Sequence, residues 1–585
     1  MKNKALVILV VIIFLLSLIP IIHTYFQTNI LWQGVVPSFV DDDLYYYARM
    51  QNVIHGYYLI GNPYFFEHRQ EISPAFFAPD WLSIIPIKLG IPLAFGVALN
   101  FIMWSIIFSI LSYIFFRQQN LLKSISVIGT ILVYLTTYYL LLRPVSMQIV
   151  APFFLLFYIT YAVWLKSEKP SKRQYIFLIF GIAFSFYIYT YLWQIVLAVL
   201  SLTFLFLIYQ KDWLKFRNFL VVCVIGIILG FSAVLYTLKQ VSSPFYWDTM
   251  YRIGLVNTYL PTVLSFYDGA MILVILSLGY FSYLWVENLK NNNEYRDSFL
   301  LSIFIGGGLL VALFSNVITG KELEIANHIE RFIVIWVPIT FITFAYFLIK
   351  NRSGFYSLGI YKKMLLSLFF VLSSIIFIHF LVQGFSIKTI LNTDTLSVQA
   401  YAKPLKWLNE NVPKESVIWS NGNIGYYLPT MTTDFSLFNG FGVLHLLSSK
   451  ELEERYLVSN YFNNLTLQDI KRDFRQYAGV GNSIHQYKTF NRKVRICQIA
   501  KLSYFGVDCG TTTDPISFKG EKYFIDLYNE YNNDIKPNIS NKLKKFNVKY
   551  IVKDKRGGSN FSPEKISGTK LVWSNDRFEI YSFTE

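Results

Sequence analysis

Eleven continuous apolar stretches, each able to cross about 30 Å of hydrocarbon, constrain this chain more than any other feature. They fall at 5–22, 91–116, 124–142, 146–165, 175–191, 193–209, 218–238, 268–286, 298–318, 332–349 and 364–384. Runs of that length satisfy their backbone polar groups in lipid only as helices. Of the 585 residues, 54% are hydrophobic and 15% charged, a balance that excludes a water-soluble chain. The expected fold is a polytopic α-helical membrane protein with about eleven spans.

The basic residues predict its orientation, because short cytoplasmic loops collect Lys and Arg. One alternating set of connections carries Lys2 and Lys4, then Arg117 and Lys123, then Lys166, Lys169, Lys172 and Arg173, and so on to Lys362 and Lys363. The opposite set holds mostly single residues, among them Arg143, Lys239, Arg252, Lys321 and Arg331. The amino terminus is therefore expected inside. An odd span count then puts residues 387–585 on the outer side with loop 23–88. The first span lacks a small-residue cleavage site and reads as a retained anchor. The formal charge of +16 needs no nucleic acid, since topology signal and a solvated outer domain account for it.

Loop 23–88 opens on three consecutive aspartates, Asp41, Asp42 and Asp43. One carboxylate is enough to cap the helix that follows. The surplus charge must be matched by water, a metal, an arginine or a bound substrate. Tyr46, Met50, Val53, Ile54 and Tyr57 recur at helical spacing, so this segment is expected to lie in the membrane interface with that face toward lipid. Gly56 and the Gly61-Asn62-Pro63 turn end it. A second polar cluster follows, in which Glu67 and His68 could bind a metal or an acceptor or simply decorate a surface loop.

The run Asp41-Asp42-Asp43-Leu44-Tyr45-Tyr46-Tyr47-Ala48-Arg49 directly after a first span, with Gly56 fifteen residues beyond Asp41, resembles the GT-C glycosyltransferase superfamily. Its members include protein O-mannosyltransferases, the aminoarabinose transferase acting on lipid A and the catalytic subunit of oligosaccharyltransferase. The resemblance covers the layout of the whole chain, although the motif is short and here has a third Asp and no Glu. It implies transfer of a sugar from a polyprenyl-phosphate donor to a protein, lipid or glycan acceptor at the outer face of the membrane. Asp41, Asp42 and Asp43 would supply the general base, and Asp42 and Asp43 could ligate a divalent cation, Mg or Mn. Direct displacement with inversion needs no covalent intermediate.

A leaving phosphate also asks for arginine, whose planar fork matches it. Arg331 stands at the mouth of the tenth span, and on a helix Glu324, His328 and Arg331 share one face. Arg143, in the turn between the third and fourth spans, is the second candidate, since a cation there is expensive unless paired. The alternative for Arg331 is a basic side chain snorkelling at a helix end. Between Lys239 and Pro261, Tyr246, Trp247, Asp248, Tyr251 and Arg252 read as an aromatic belt or an acceptor site.

Beyond residue 386 the sequence turns mixed and turn-rich, which predicts a separate extracytoplasmic α/β domain over 387–585. Val398, Tyr401, Leu405 and Leu408 mark an amphipathic helix ending at Asn411-Val412-Pro413. Strands are expected at 416–420 and 548–553, and a hairpin at 571–583. Cys497 and Cys509 could pair or remain free thiols. The Lys-, Asn-, Ile- and Tyr-rich composition fits an AT-rich prokaryotic genome and hence a plasma membrane. Two other readings compete with a transferase. A transporter or flippase for lipid-linked sugars expects midplane charges and repeat symmetry, and a non-catalytic scaffold leaves the aspartates unexplained.

Overall fold

A computed structural model describes residues 4–40, 42–262, 293–323, 325–350, 359–384, 395–479, 485–558 and 560–584. The protein is 70% helical. Among the described residues eight helices are long and apolar enough to cross a membrane. They are Lys4–Leu31, Leu93–Gln118, Lys123–Leu142, Met147–Leu165, Thr190–Tyr209, Trp213–Val241, Arg296–Leu313 and His328–Lys350.

These match eight of the eleven expected stretches. The stretch at 175–191 becomes the shorter helix Lys172–Ile188, which stops at Tyr189 because that residue is extended, with φ −162° and ψ 134°. The last stretch falls on helix Ile360–Gly384. The stretch at 268–286 lies outside the described residues.

The short helix is nonetheless part of the bundle. A Cβ on Gly226 or Gly230 would stand 2.8 Å from Ile182 or 2.7 Å from Phe186, so these two glycines, four residues apart, let the Trp213–Val241 helix lie against it at close range.

Strands β1 (Leu255–Asn257) and β2 (Lys321–Leu323) form an antiparallel pair, and the C-terminal part contains a five-stranded sheet. Its strands are β3 (Val417–Ser420), β4 (Phe435–Ser436), β5 (Val548–Asp554), β6 (Thr569–Ser574) and β7 (Phe578–Phe583), in the order β4-β3-β5-β7-β6. β3 runs parallel to both β4 and β5, whereas β7 is antiparallel to β5 and to β6. Strand periodicity sends alternate side chains to opposite faces. Val417, Trp419, Ile551 and Tyr581 enter one apolar cluster; Ile418, Val552 and Ile580 enter the other, beneath helix Ala402–Asn411. The amphipathic helix, the strands and the hairpin thus sit where the sequence places them. Cys497 and Cys509 are disulfide-bonded, with Cα atoms 5.4 Å apart.

The sheet region does not pack by itself, because the first loop is built into it. Val35 belongs to the cluster under the Ala402–Asn411 helix, and the Gln399 amide bonds the Val35 backbone in both directions. The Ser436 N–H donates to the Tyr64 carbonyl at 2.8 Å. The helix Asp43–Ile54 corrects the interfacial expectation: its spacing is helical, but Tyr46, Met50 and Val53 are buried with Val443, Leu447 and Leu452 rather than facing lipid. The protein surface it covers is as apolar as lipid, and periodicity alone does not distinguish the two. The helix ends at Gly56, φ +101°, with the Tyr57 N–H returning to the Asn52 carbonyl. At Gly61 a Cβ would meet the Arg69 carbonyl oxygen at 1.7 Å, so the following turn requires glycine.

Charge locks the same junction. The fully buried Arg455 donates to Glu67 at 2.5 Å, to Glu451 at 2.8 Å and to the Leu437 carbonyl at 3.1 Å, between the rings of Phe65 and Phe546. Glu451 also meets His68 Nε2 at 2.9 Å. Burial resists the Glu451 charge, but His68 and Arg455 outweigh it and hold the carboxyl down at about 2. A carboxyl depressed on folding stabilises above its ordinary range near 4.5, and that contribution is lost as pH falls toward 2. Wild type is therefore expected to be more stable than Glu451→Gln near neutrality, with the margin shrinking between those two pH values. Parallel thermal melts across that range check it, and a margin that does not change with pH refutes it.

Candidate functional site

Between the helix ends, the first loop and the C-terminal part lies a cavity of 1390 Å³. Its polar lining comes from the first loop and its helix, from helix ends in the bundle and from the C-terminal part.

The helix Asp43–Ile54 presents Asp42, Tyr45, Tyr46 and Arg49 to it, at i, i+3, i+4 and i+7. Asp42 accepts a hydrogen bond from Arg143, and its other carboxylate oxygen is buried with no hydrogen-bond partner among the described residues. Asp43 turns the opposite way. Fully buried, it accepts from the Phe39 N–H at 2.6 Å and the Val40 N–H at 3.0 Å, stapling the approach loop to the first turn of the helix. Burial drives its pKa well up despite those two bonds. Asp41 lies outside the described residues. Arg49 donates to Asp80 at 2.5 Å and to the Phe76 carbonyl at 3.1 Å. Burial opposes its charge, but Asp80 prevails and raises its pKa.

Arg143 follows the Lys123–Leu142 helix in a tight turn. There Val145 adopts φ +60°, a conformation that costs a β-branched residue about 1–3 kcal/mol. The turn keeps Arg143 and Val145 at the cavity wall. Burial works against the Arg143 charge, and Tyr46 and Asp42 more than compensate, so its pKa is raised.

Arg331 and His328 enter from the helix Ile325–Lys350. Tyr189, at the break between two helices, accepts from Arg331 at 3.0 Å and hydrogen-bonds His328 Nδ1 at 2.7 Å. Tyr191 stacks on the His328 ring at 4.2 Å. Glu324, expected on the same face, lies outside the described residues. From the C-terminal part come Asn423, Tyr426, Phe441 and the exposed Arg475.

The structure thus gathers Asp42, Arg143, His328 and Arg331 around one chamber although they are far apart in sequence. Glu67 and His68 stand elsewhere, in the Arg455 network, and neither lines the cavity. Arg252 does not line it either. Fully buried, it donates to the carbonyls of Val443, His445 and Leu447 and to Ser449, which ties the helix Tyr246–Ile253 to the loop ahead of helix Ser449–Ser459.

Among the described residues, which do not include Asp41, the donor set for a divalent cation is incomplete. No group of three or more His, Cys, Asp or Glu side chains is placed to hold one among the described residues. Asp43 spends one oxygen on backbone amides, and Asp42 spends one on Arg143.

Sequence reasoning missed Arg49, Tyr189, Tyr191 and Arg475. Arg49 had a signal: it lies seven residues after Asp42 and therefore on the same helical face. The tyrosines had none, being two of 42 in the chain. No family model matches the chain, and neither does any curated protein.

Proposed function

We propose that this protein is a membrane glycosyltransferase of the GT-C type, transferring a sugar from a polyprenyl-phosphate donor to an acceptor at the outer face of the membrane. The observation that carries the reading is the composition of one chamber: Asp42, the one carboxylate that lines it among the described residues, is held by Arg143, with Arg331 and His328 on another helix. The resemblance of the Asp41–Arg49 run to that superfamily supports it independently.

In this reading the donor phosphate is bound by Arg331 and draws Arg143 away from Asp42. The acceptor hydroxyl or amide attacks the anomeric carbon from the side opposite the phosphate. A new bond to that carbon forms as its bond to the phosphate oxygen breaks, and the electron pair leaves with the phosphate. The acceptor's proton passes to the carboxylate of Asp42. Arg143 and Arg331 balance the charge that builds on the leaving group. Tyr189 fixes Arg331 and His328 as one unit. No step is routed through a cation.

Purified protein in lipid nanodiscs, supplied with a panel of radiolabelled polyprenyl-phosphate sugars and membrane acceptors, tests the reading. Consumption of one donor with label on the acceptor is expected. Arg331→Ala should then raise the donor KM by about tenfold or more, the loss of one charge-assisted contact to phosphate. Label that crosses the bilayer with its phosphate bond intact would instead establish a transporter.

A further inference from the structure

A second surface lies apart from the cavity. The helix His485–Ile499 leads into a disulfide-closed loop, Cys497 to Cys509, and residues 498–508 are all exposed. Exposed loops are usually polar. This one instead presents Ile499 (70% exposed), Tyr504 (81%), Phe505 (82%) and Val507. The exposed cations Lys493, Arg495 and Lys501 precede or fall within that segment, and the one acid between residues 493 and 509 is Asp508, whose carboxylate accepts from the Gly510 N–H.

The base of this arm is fixed at the level of the helix ends. β1 (Leu255–Asn257) and β2 (Lys321–Leu323) form an antiparallel pair; β1 lies shortly after the Trp213–Val241 helix and β2 shortly before the His328–Lys350 helix. Around it are the exposed Trp247, Tyr259 and Ile318, with Lys321 over the Trp247 ring at 4.6 Å. Exposed Trp and Tyr beside Lys at a span end mark the bilayer interface. The arm is pinned to this pair by Thr489 on the Asn257 carbonyl and by Arg492 on the Leu260 carbonyl and on Glu322 at 2.8 Å. As the arm advances from Thr489 to Arg492, its contacts advance from Asn257 to Leu260.

We infer that the disulfide-closed tip, Ile499 to Val507, inserts into the headgroup region of the bilayer that the protein spans, with Lys493, Arg495 and Lys501 selecting anionic lipid. Its apolar and aromatic side chains enter the acyl boundary, and the cations meet lipid phosphates above them. The tip gives the C-terminal part a membrane contact separate from the spans, and it does not depend on the transferase reading.

The test is photocrosslinking in the full-length protein. Phe505→p-benzoyl-phenylalanine, and as control the exposed Lys570→p-benzoyl-phenylalanine on β6, are each reconstituted in nanodiscs of phosphatidylcholine and phosphatidylglycerol in equal parts. Position 505 is expected to yield about tenfold more lipid adduct than position 570, with phosphatidylglycerol over-represented. Adding Lys493→Gln, Arg495→Gln and Lys501→Gln should remove that lipid preference while the spans remain in the nanodisc. Equal lipid labelling at 505 and 570, or adducts at 505 formed mainly with a second copy of the chain, would overturn the inference.

Discussion

Asp42→Asn is expected to reduce sugar transfer by about 10²–10⁴-fold in kcat, the range for removing a general base, while leaving the protein folded. Asparagine keeps the size of the side chain and an oxygen for Arg143, so the cavity retains its shape. What disappears is the ability to take a proton. Asp43→Ala should behave differently, because its carboxylate serves the Phe39 and Val40 amides rather than the cavity. Leaving those two donors unpaired costs about 1–3 kcal/mol each at most, so activity should fall only with the folded fraction. Turnover of the three asparagine variants at 41, 42 and 43, normalised to monodisperse protein, separates the roles. Wild-type turnover in Asp42→Asn beside an inactive, folded Asp43→Asn would reverse the assignment.

The largest stability loss is expected from Arg455→Met. This guanidinium is fully buried and holds Glu67 and Glu451, one from the first loop and one from the C-terminal part. Removing one member of a buried ion-pair network strands the others, at a cost of about 3–5 kcal/mol. The loop and the C-terminal part should then separate before the spans unfold, and limited proteolysis with a melt followed by size-exclusion chromatography would detect it. Adding Glu67→Gln and Glu451→Gln should recover part of the loss, because no stranded charge remains. A single Arg455→Met variant with wild-type protease resistance would mean the junction is held by apolar packing alone.

These variants bear on which parts of the molecule were legible beforehand. The strands of the C-terminal sheet were readable because Val417–Ser420 and Val548–Asp554 are short runs rich in β-branched and aromatic residues, a local property. The turn at Gly56 was readable for the same reason. The helices between Ile424 and Lys545 were not, because their short apolar faces are completed only by contact with one another. Nothing in the sequence marks Arg455 or Arg252 as fully buried, since a sequence does not state which cations are buried.

The sequence by itself determined that this chain is a helical membrane protein, where most of its spans run and that a carboxylate cluster follows the first of them. Those properties depend on composition and on periods of two or 3.6 residues, which neighbours in sequence carry. Only the tertiary structure decided that Asp42 faces the cavity while Asp43 turns away, that Arg143, His328 and Arg331 meet Asp42 in one chamber, and that the first loop packs on the C-terminal sheet instead of on lipid. A rotation of one residue along a helix moves a side chain by 100°, and contacts between residues hundreds of positions apart leave no local period to read.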